Sequence, residues 1–235
     1  EVAVAAVAAE VKAGEAVKEA GLREVVAGGR MQLLCLAMLC FGLGAWMMVV
    51  HIVNVAMDSG MDESSAVRLL TFLSLGSATA RMPMAAVADW VGRRRTASLA
   101  MAILAAAHLA CAFSAARASP PFLAFLAFCV GGFDGTVLSI APAIPSELLP
   151  LSHQRLAQAG VLSPAGVGFF FGPLIAAALR SVTGDYASAA VAAAACLGAG
   201  SMLMAYLAMR PGPAPAPAAP QTRGSAELKR VPKPM

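Results

Sequence analysis

The sequence predicts an all-α membrane protein of six transmembrane helices, and three observations predict it. Of its 235 residues, 59% are hydrophobic and only 13% are charged, with a mean hydropathy of +0.75. Soluble domains carry about 25% charged residues, and a water-soluble core of this size cannot hide so much apolar surface, so the composition calls for lipid as solvent. Six apolar runs, at about 31–57, 66–88, 96–116, 120–148, 156–179 and 186–209, each reach the roughly 20 residues that cross a bilayer. Within the runs the period is helical and not alternating, which argues against a β-barrel.

The links between runs are short and polar: "DSGMDESS", "DWVGRRR", "ARASPP", "LPLSHQR" and "RSVTGDY". Links this short make neighbouring helices antiparallel. Before the first run, residues 1–30 mix Ala and Val with Glu and Lys and end in "GGR". Two readings stand for them: a cytosolic helix near the membrane surface with pairs such as Glu15 and Lys18, or a partly helical linker. The chain opens at Glu1, without an initiator Met or a basic segment before a short apolar stretch. That argues against a signal peptide and makes a piece of a longer chain the expectation. After the sixth run, residues 210–235 carry the Pro-rich "PGPAPAPAAP" from Pro211 and are expected to form an extended, disordered tail. Residues 31–209 between them are the transmembrane unit.

Charge sets the orientation. Arg93, Arg94, Arg95, Arg155, Arg210 and the basic residues of both ends fall on one side, and only Arg68, Arg117 and Arg180 on the other. Cytoplasmic loops collect Lys and Arg, so both termini are expected in the cytoplasm, as an even number of spans requires. The net charge of +4 comes without a basic patch studded with aromatics, so nucleic acid is not an expected partner. Five cysteines lie inside apolar runs without metal spacing and read as small reduced hydrophobes. There is no nucleophile–His–acid order, phosphate loop or metal cluster, so neither an enzyme, a cofactor nor a metal is expected.

The informative residues are those that are costly to place in lipid. Arginine at a bilayer centre costs ~2.5–3.5 kcal/mol on insertion scales, and Arg81 is the one charged residue between Leu69 and Ala88, ~12 Å from the cytoplasmic end of the second run at 1.5 Å per residue. It reads as a substrate or coupling residue facing a cavity; the competing reading is an arginine that snorkels to the surface. Pro83, just beyond, weakens the local hydrogen-bond ladder, as helices lining cavities tolerate. Asp134, near the middle of the fourth run, sits among Gly131, Gly132 and Gly135. A lone carboxylate taken out of water prefers to hold a proton, the property a coupling site uses, with Arg81 as its natural partner; a solvated acid in a glycine-rich break is the alternative. His51 and Asn54, three residues apart on one helix face, either line a polar cavity or bond to neighbouring backbone. His108 reads as a packing residue, Glu147 as a wetted acid near the cytoplasmic edge. Gly166, Gly168 and Gly172 read as a close-contact surface between helices, through the pair Gly168/Gly172.

The stretch "VHIVNVAMDSGMDESSAVRLLTFLSLGSATARMPMAAVADWVGRRR" resembles the seventh and eighth helices of major facilitator transporters of the monocarboxylate-porter type, with His51, Asp58, Gly60, Arg81, Asp89, Gly92, Arg93 and Arg94 in matching places. "PSELLP" through "FFFGPLIAAALRSVTGDYASAA" is similar to the tenth-to-eleventh region, matching at Gly172, Pro173, Thr183, Gly184 and Tyr186. The resemblance spans roughly residues 31–209. It implies one half of a twelve-helix major facilitator fold, the carboxy-terminal six helices, with the amino-terminal half as its missing partner and residues 1–30 as the end of a central cytoplasmic loop. It further implies that Arg81 handles a substrate carboxylate and that Asp89, Arg93 and Arg94 gate the cytoplasmic side. Animal members often carry an aspartate four residues before the arginine; here Ser77 takes that place, and the usual following glycine is Ala85 or Ala86.

These readings converge on a secondary transporter of small organic anions, monocarboxylates first, proton-coupled through Asp134, with Arg81, His51 and Asn54 at the substrate. The plasma membrane is the location the resemblance implies. The alternatives are a facilitator for another small molecule and a non-transporting truncated or scaffold half-protein.

Overall fold

The computed structural model describes residues 28–114, 119–149, 157–158 and 160–210. The Glu15–Lys18 pairing, the Pro-rich tail, Arg117 and Arg155 lie outside them. The described chain is helical: α1 (Gly29–Val49), α2 (Ile52–Asp58), α3 (Glu63–Val91), α4 (Arg93–Ser114), α5 (Pro120–Ile140), a 3₁₀ turn (Ala141–Ala143), α6 (Pro145–Leu148), α7 (Ser163–Thr183) and α8 (Ala187–Met209).

Five stretches are long and apolar enough to cross a membrane: α1, Arg93–Phe113 of α4, α5 with its 3₁₀ extension to Ala143, α7 and α8. The second expected span, α3, is long enough at 29 residues but is not in this set. Arg81 and a scatter of Ser and Thr dilute its apolar content. Long helices alternate in direction, so the ends of α1, α4 and α7 meet the starts of α3, α5 and α8 at one end of the bundle. The most extensive packing pairs α3 with α5, α4 with α8, and α1 with both α7 and α8.

Helix boundaries differ from the apolar runs for local reasons. The first run does not continue to 57: α1 stops at Val49, and α2 restarts at Ile52 after His51 leaves helical geometry at φ −100° and ψ 6°. The fourth run stays α-helical only to Ile140, because Pro142 and Pro145 withhold two N–H donors and the chain tightens into a 3₁₀ turn. The link "DWVGRRR" is mostly helix: α3 runs to Val91, and Gly92 alone, at φ 101°, reverses the chain into Arg93 at the start of α4. Asp62 caps α3, its carboxylate accepting from the Ser65 N–H at 2.9 Å.

Glycine sets how closely the helices cross. A Cβ on Gly168 or Gly172 would lie 2.4 Å from Leu43 N or 2.6 Å from Leu43 O, so the expected pair does carry the α1–α7 crossing, while Gly166 faces open space. A second seam joins α3 to α5. There Gly76 meets the Phe128 carbonyl, and Gly131 meets the Leu73 carbonyl so tightly that neither position has room for a methyl group. This seam brings the arginine and the aspartate of the two helices toward each other.

Candidate substrate site and its charged helix ends

Arg81 lies on α3, exposed at the bundle surface. Its Nε and Nη2 donate to Ser77 Oγ at 3.3 and 3.1 Å, one turn back along the helix. The hydroxyl thus occupies the place where an acid would pair with the guanidinium. Pro83 lacks the N–H that would bond the Thr79 carbonyl, loosening α3 beside Arg81.

Asp134 faces the same seam from α5. A Cβ on its neighbour Gly135 would lie 2.5 Å from Ser77 Oγ and 3.2 Å from Arg81 Nε. Asp134 is half-buried, and its Oδ1 is fully buried without a hydrogen-bond partner among the described residues. Arg81 acts on it electrostatically across the seam, yet no direct ion pair joins the two. The structure therefore brings these two residues to one place, with the guanidinium turned to a neutral hydroxyl.

His51 and Asn54 are not equivalent. His51 sits in the break between α1 and α2, and both ring nitrogens are engaged: Nε2 lies 3.1 Å from the Pro173 carbonyl and Nδ1 lies 3.2 Å from Tyr186 Oη. A carbonyl only accepts, so Nε2 carries the proton and Nδ1 receives the tyrosine hydroxyl. Asn54 follows on α2, half-buried. His108 is buried on α4, its Nδ1 donating to the Leu104 carbonyl at 2.7 Å, in keeping with a packing role.

At the other end of the bundle the expected gating residues form a connected set. Arg93 reaches Asp89 at 3.2 Å across the Gly92 turn and Ser146 Oγ at 3.4 Å. Arg94 pairs with Glu147 at 3.0 Å and donates to the carbonyls of Leu207 and Arg210, the latter at 2.9 Å, at the C-terminus of α8. A cation there meets the negative end of the helix dipole. Arg94 thus ties α4, α6 and α8 together. Glu147 had a signal in the sequence, as an acid on the basic side, but its partner is 53 positions away and only the fold shows it. Tyr186 and Arg180, at the opposite end, stood in the sequence only as a matched position and a loop charge, and their contact with each other is shown by the fold.

Long apolar helices joined by short turns, with charge gathered at their ends, define an integral, multi-pass membrane protein. The sequence matches the Major Facilitator Superfamily over residues 34–234, and the chain belongs to that family. No curated protein matches it. The family consists of secondary transporters, not enzymes, which bind small-molecule substrates within the bilayer.

Proposed function

We propose that the chain forms the carboxy-terminal six-helix half of a transporter for small organic anions, with monocarboxylates as the substrate class and α3 as its sixth span. The observation that carries this reading is Arg81. It is a cation at mid-helix whose side-chain partner is a hydroxyl and not an acid. Arginine pairs with carboxylates through two parallel charge-assisted bonds, roughly twice as strong as neutral ones, so a substrate carboxylate displaces Ser77 with net gain. Asp134 is the coupling group, taking a proton as the substrate anion engages Arg81. Asn54 contributes an amide from α2 and His51 orients the segment that carries it. Asp89, Arg93 and Arg94 close the cytoplasmic end, which the basic links assign to the side of both termini. The plasma membrane is the proposed location, and the amino-terminal half the proposed partner. The large apolar side chains exposed on α3 and α7, such as Leu75, Phe170 and Phe171, are consistent with a partner half or lipid there.

Uptake of labelled lactate by the full-length protein tests the reading. Arg81→Ala is expected to lower uptake by about tenfold or more, and Arg81→Lys, which keeps the charge but loses the fork, to retain part of it. Wild-type uptake with Arg81→Ala overturns Arg81 as the contact.

A further inference from the structure

We propose that Met48, His108 and Cys111 form a binding site inside the bundle for a single soft metal ion, copper(I). Nothing in this depends on which substrate is carried.

The first observation is a nitrogen. His108 is 2% exposed, and its Nδ1 lies 2.7 Å from the Leu104 carbonyl one turn back on α4. A carbonyl only accepts, so Nδ1 carries the proton and Nε2 keeps its lone pair. Packing accounts for Nδ1 but not for Nε2, which is buried without a hydrogen-bond partner among the described residues. The nearby Ala45 carbonyl of α1 does not reach hydrogen-bond geometry with it. Two acceptors gain nothing from each other, whereas a cation suits both. An imidazole whose other N–H is fixed on a backbone carbonyl is also how metal-ligating histidines are held.

The second observation is what surrounds that nitrogen. His108 shares the wall of a cavity of about 40 Å³ with Met48 and Cys111. Every other side chain on the wall is apolar, among them Ile52 of α2, Leu69 of α3 and Leu126 of α5. Cys111 stands three residues past His108, on the same face of α4. Met48, buried near the end of α1, belongs to the apolar cluster against which Cys111 packs. The side-chain donors of this cavity are therefore an imidazole nitrogen, a thiol and a thioether, and no carboxylate joins them. Cys111 is half-buried, which leaves the ion a way in.

Size and charge select the ligand. A cavity that binds benzene measures ~150 Å³, so 40 Å³ is too small for an organic substrate. A water would fit, but a buried water needs about 2–4 polar partners, and one nitrogen with two weakly bonding sulfurs is a poor host. Thiolate and thioether sulfur are the ligands that select copper(I) over harder ions. On binding, the Cys111 S–H bond breaks, an S–Cu bond forms and the proton leaves to solvent; copper enters and stays as copper(I), so no electron moves. The thiolate charge then cancels the metal charge, and the product is neutral. Zinc(II) in the same donors, or a second proton on His108 alone, would leave a net positive charge among apolar walls, which is costly.

The test uses the purified full-length protein in detergent, with Cys35, Cys40, Cys129 and Cys196 replaced by serine as the parent. Copper(I) is titrated without oxygen against a chromophoric copper(I) chelator. The parent is expected to bind one copper(I) more than its Cys111→Ser variant, to release roughly one proton as it does so, and to unfold at a higher temperature with copper than without. Met48→Leu, which conserves volume, and His108→Gln are each expected to weaken binding about tenfold or more, at least the scale seen for lost outer-shell partners. X-ray absorption at the copper edge should show sulfur and nitrogen neighbours in the parent. Equal copper uptake by the parent and Cys111→Ser overturns the site. So does parent affinity in Met48→Leu, which decides the matter even if His108→Gln does not fold, because it leaves only an adventitious thiol. Lactate uptake is not read in this titration, so failure of the anion reading leaves its result standing.

Discussion

Replacing Gly131 by alanine asks whether the α3–α5 seam positions Arg81 and Asp134. A Cβ at 131 would stand 1.8 Å from the Leu73 carbonyl oxygen and 2.6 Å from its carbonyl carbon. Close carbon–oxygen contacts between helices settle near ~3.3 Å, so the helices must part locally by ~1.5 Å. The obstacle is backbone inside a helix, so no rotamer change relieves it. Gly135, one turn further along the same seam, has Ser77 and Arg81 as its neighbours, and the parting therefore opens the region between Arg81 and Asp134. Overpacking of this kind costs ~1–3 kcal/mol. Gly198→Ala on α8 is the matched control: a Cβ there meets nothing within 4 Å, and alanine gains ~0.5–1 kcal/mol over glycine within a helix. The two variants should differ by ~1.5–4 kcal/mol in thermal unfolding of the detergent-solubilised full-length protein. Lactate uptake should fall in Gly131→Ala by up to ~10²-fold, the scale of an ångström's misplacement at a site. Gly131→Ala as thermostable as Gly198→Ala refutes the seam as a packing constraint.

Two further outcomes follow from the ends of the bundle. Glu147→Gln leaves Arg94 facing the α8 carbonyls without its carboxylate; with the pair 15% and 27% exposed, the loss should lie between the ~0–1 kcal/mol of exposed pairs and the ~3–5 kcal/mol of buried ones, read as a lower unfolding temperature. At the start of α3, hydrogen bonds from the Ser64 hydroxyl first, then from Ser65, hold the Asp62 carboxyl down to about 2. A depressed folded value means that the cap stabilises α3 above the ordinary carboxylate range and loses its contribution as pH falls from about 4 toward 2. The stability difference between the wild type and Asp62→Ala should therefore be flat from neutral pH to about 5 and shrink below that, and a difference unchanged at pH 3 would count against the cap.

Much of this architecture is legible in the chain because lipid imposes a simple rule, that backbone polar groups must be satisfied within each helix. The runs around α4, α5, α7 and α8 follow from it, and the Gly168/Gly172 spacing announced a close crossing. The rule says nothing of where a long apolar run breaks. The interruption at His51 comes from Pro173 and Tyr186, more than a hundred residues away, and no local propensity encodes it. Arg81 and Asp134 stand out in sequence as costly residues, but their shared seam rests on glycines of two helices whose pairing only the fold fixes. The charged cluster at the other end was half legible: Asp89 and Arg93 are four apart on one chain segment, whereas Glu147 and the α8 carbonyls reach Arg94 through tertiary packing.

The described arginines divide by what they meet: Arg68, Arg81 and Arg210 donate to the hydroxyls of Ser65, Ser77 and Tyr206, and three others meet acids. At the ends, Arg93, Arg94 and Arg180 each hold a carboxylate, of Asp89, Glu147 and Asp58, and these contacts tie helix to helix or close a turn. Arg81, in the middle, holds only the Ser77 hydroxyl, while the nearby carboxylate of Asp134 stays unpaired with it. The difference is functional in its energetics. A guanidinium already paired with an acid gives up a charge-assisted bond to take another anion, so the exchange gains little. One turned to a hydroxyl exchanges a neutral acceptor for a charged one and, on the proposed reading, gains from it. The acid stands on the facing helix, within electrostatic reach of Arg81 but without a direct ion pair to it. The glycine seam sets that separation, so on the proposed reading the packing of α3 on α5 also governs how readily Arg81 takes an anion.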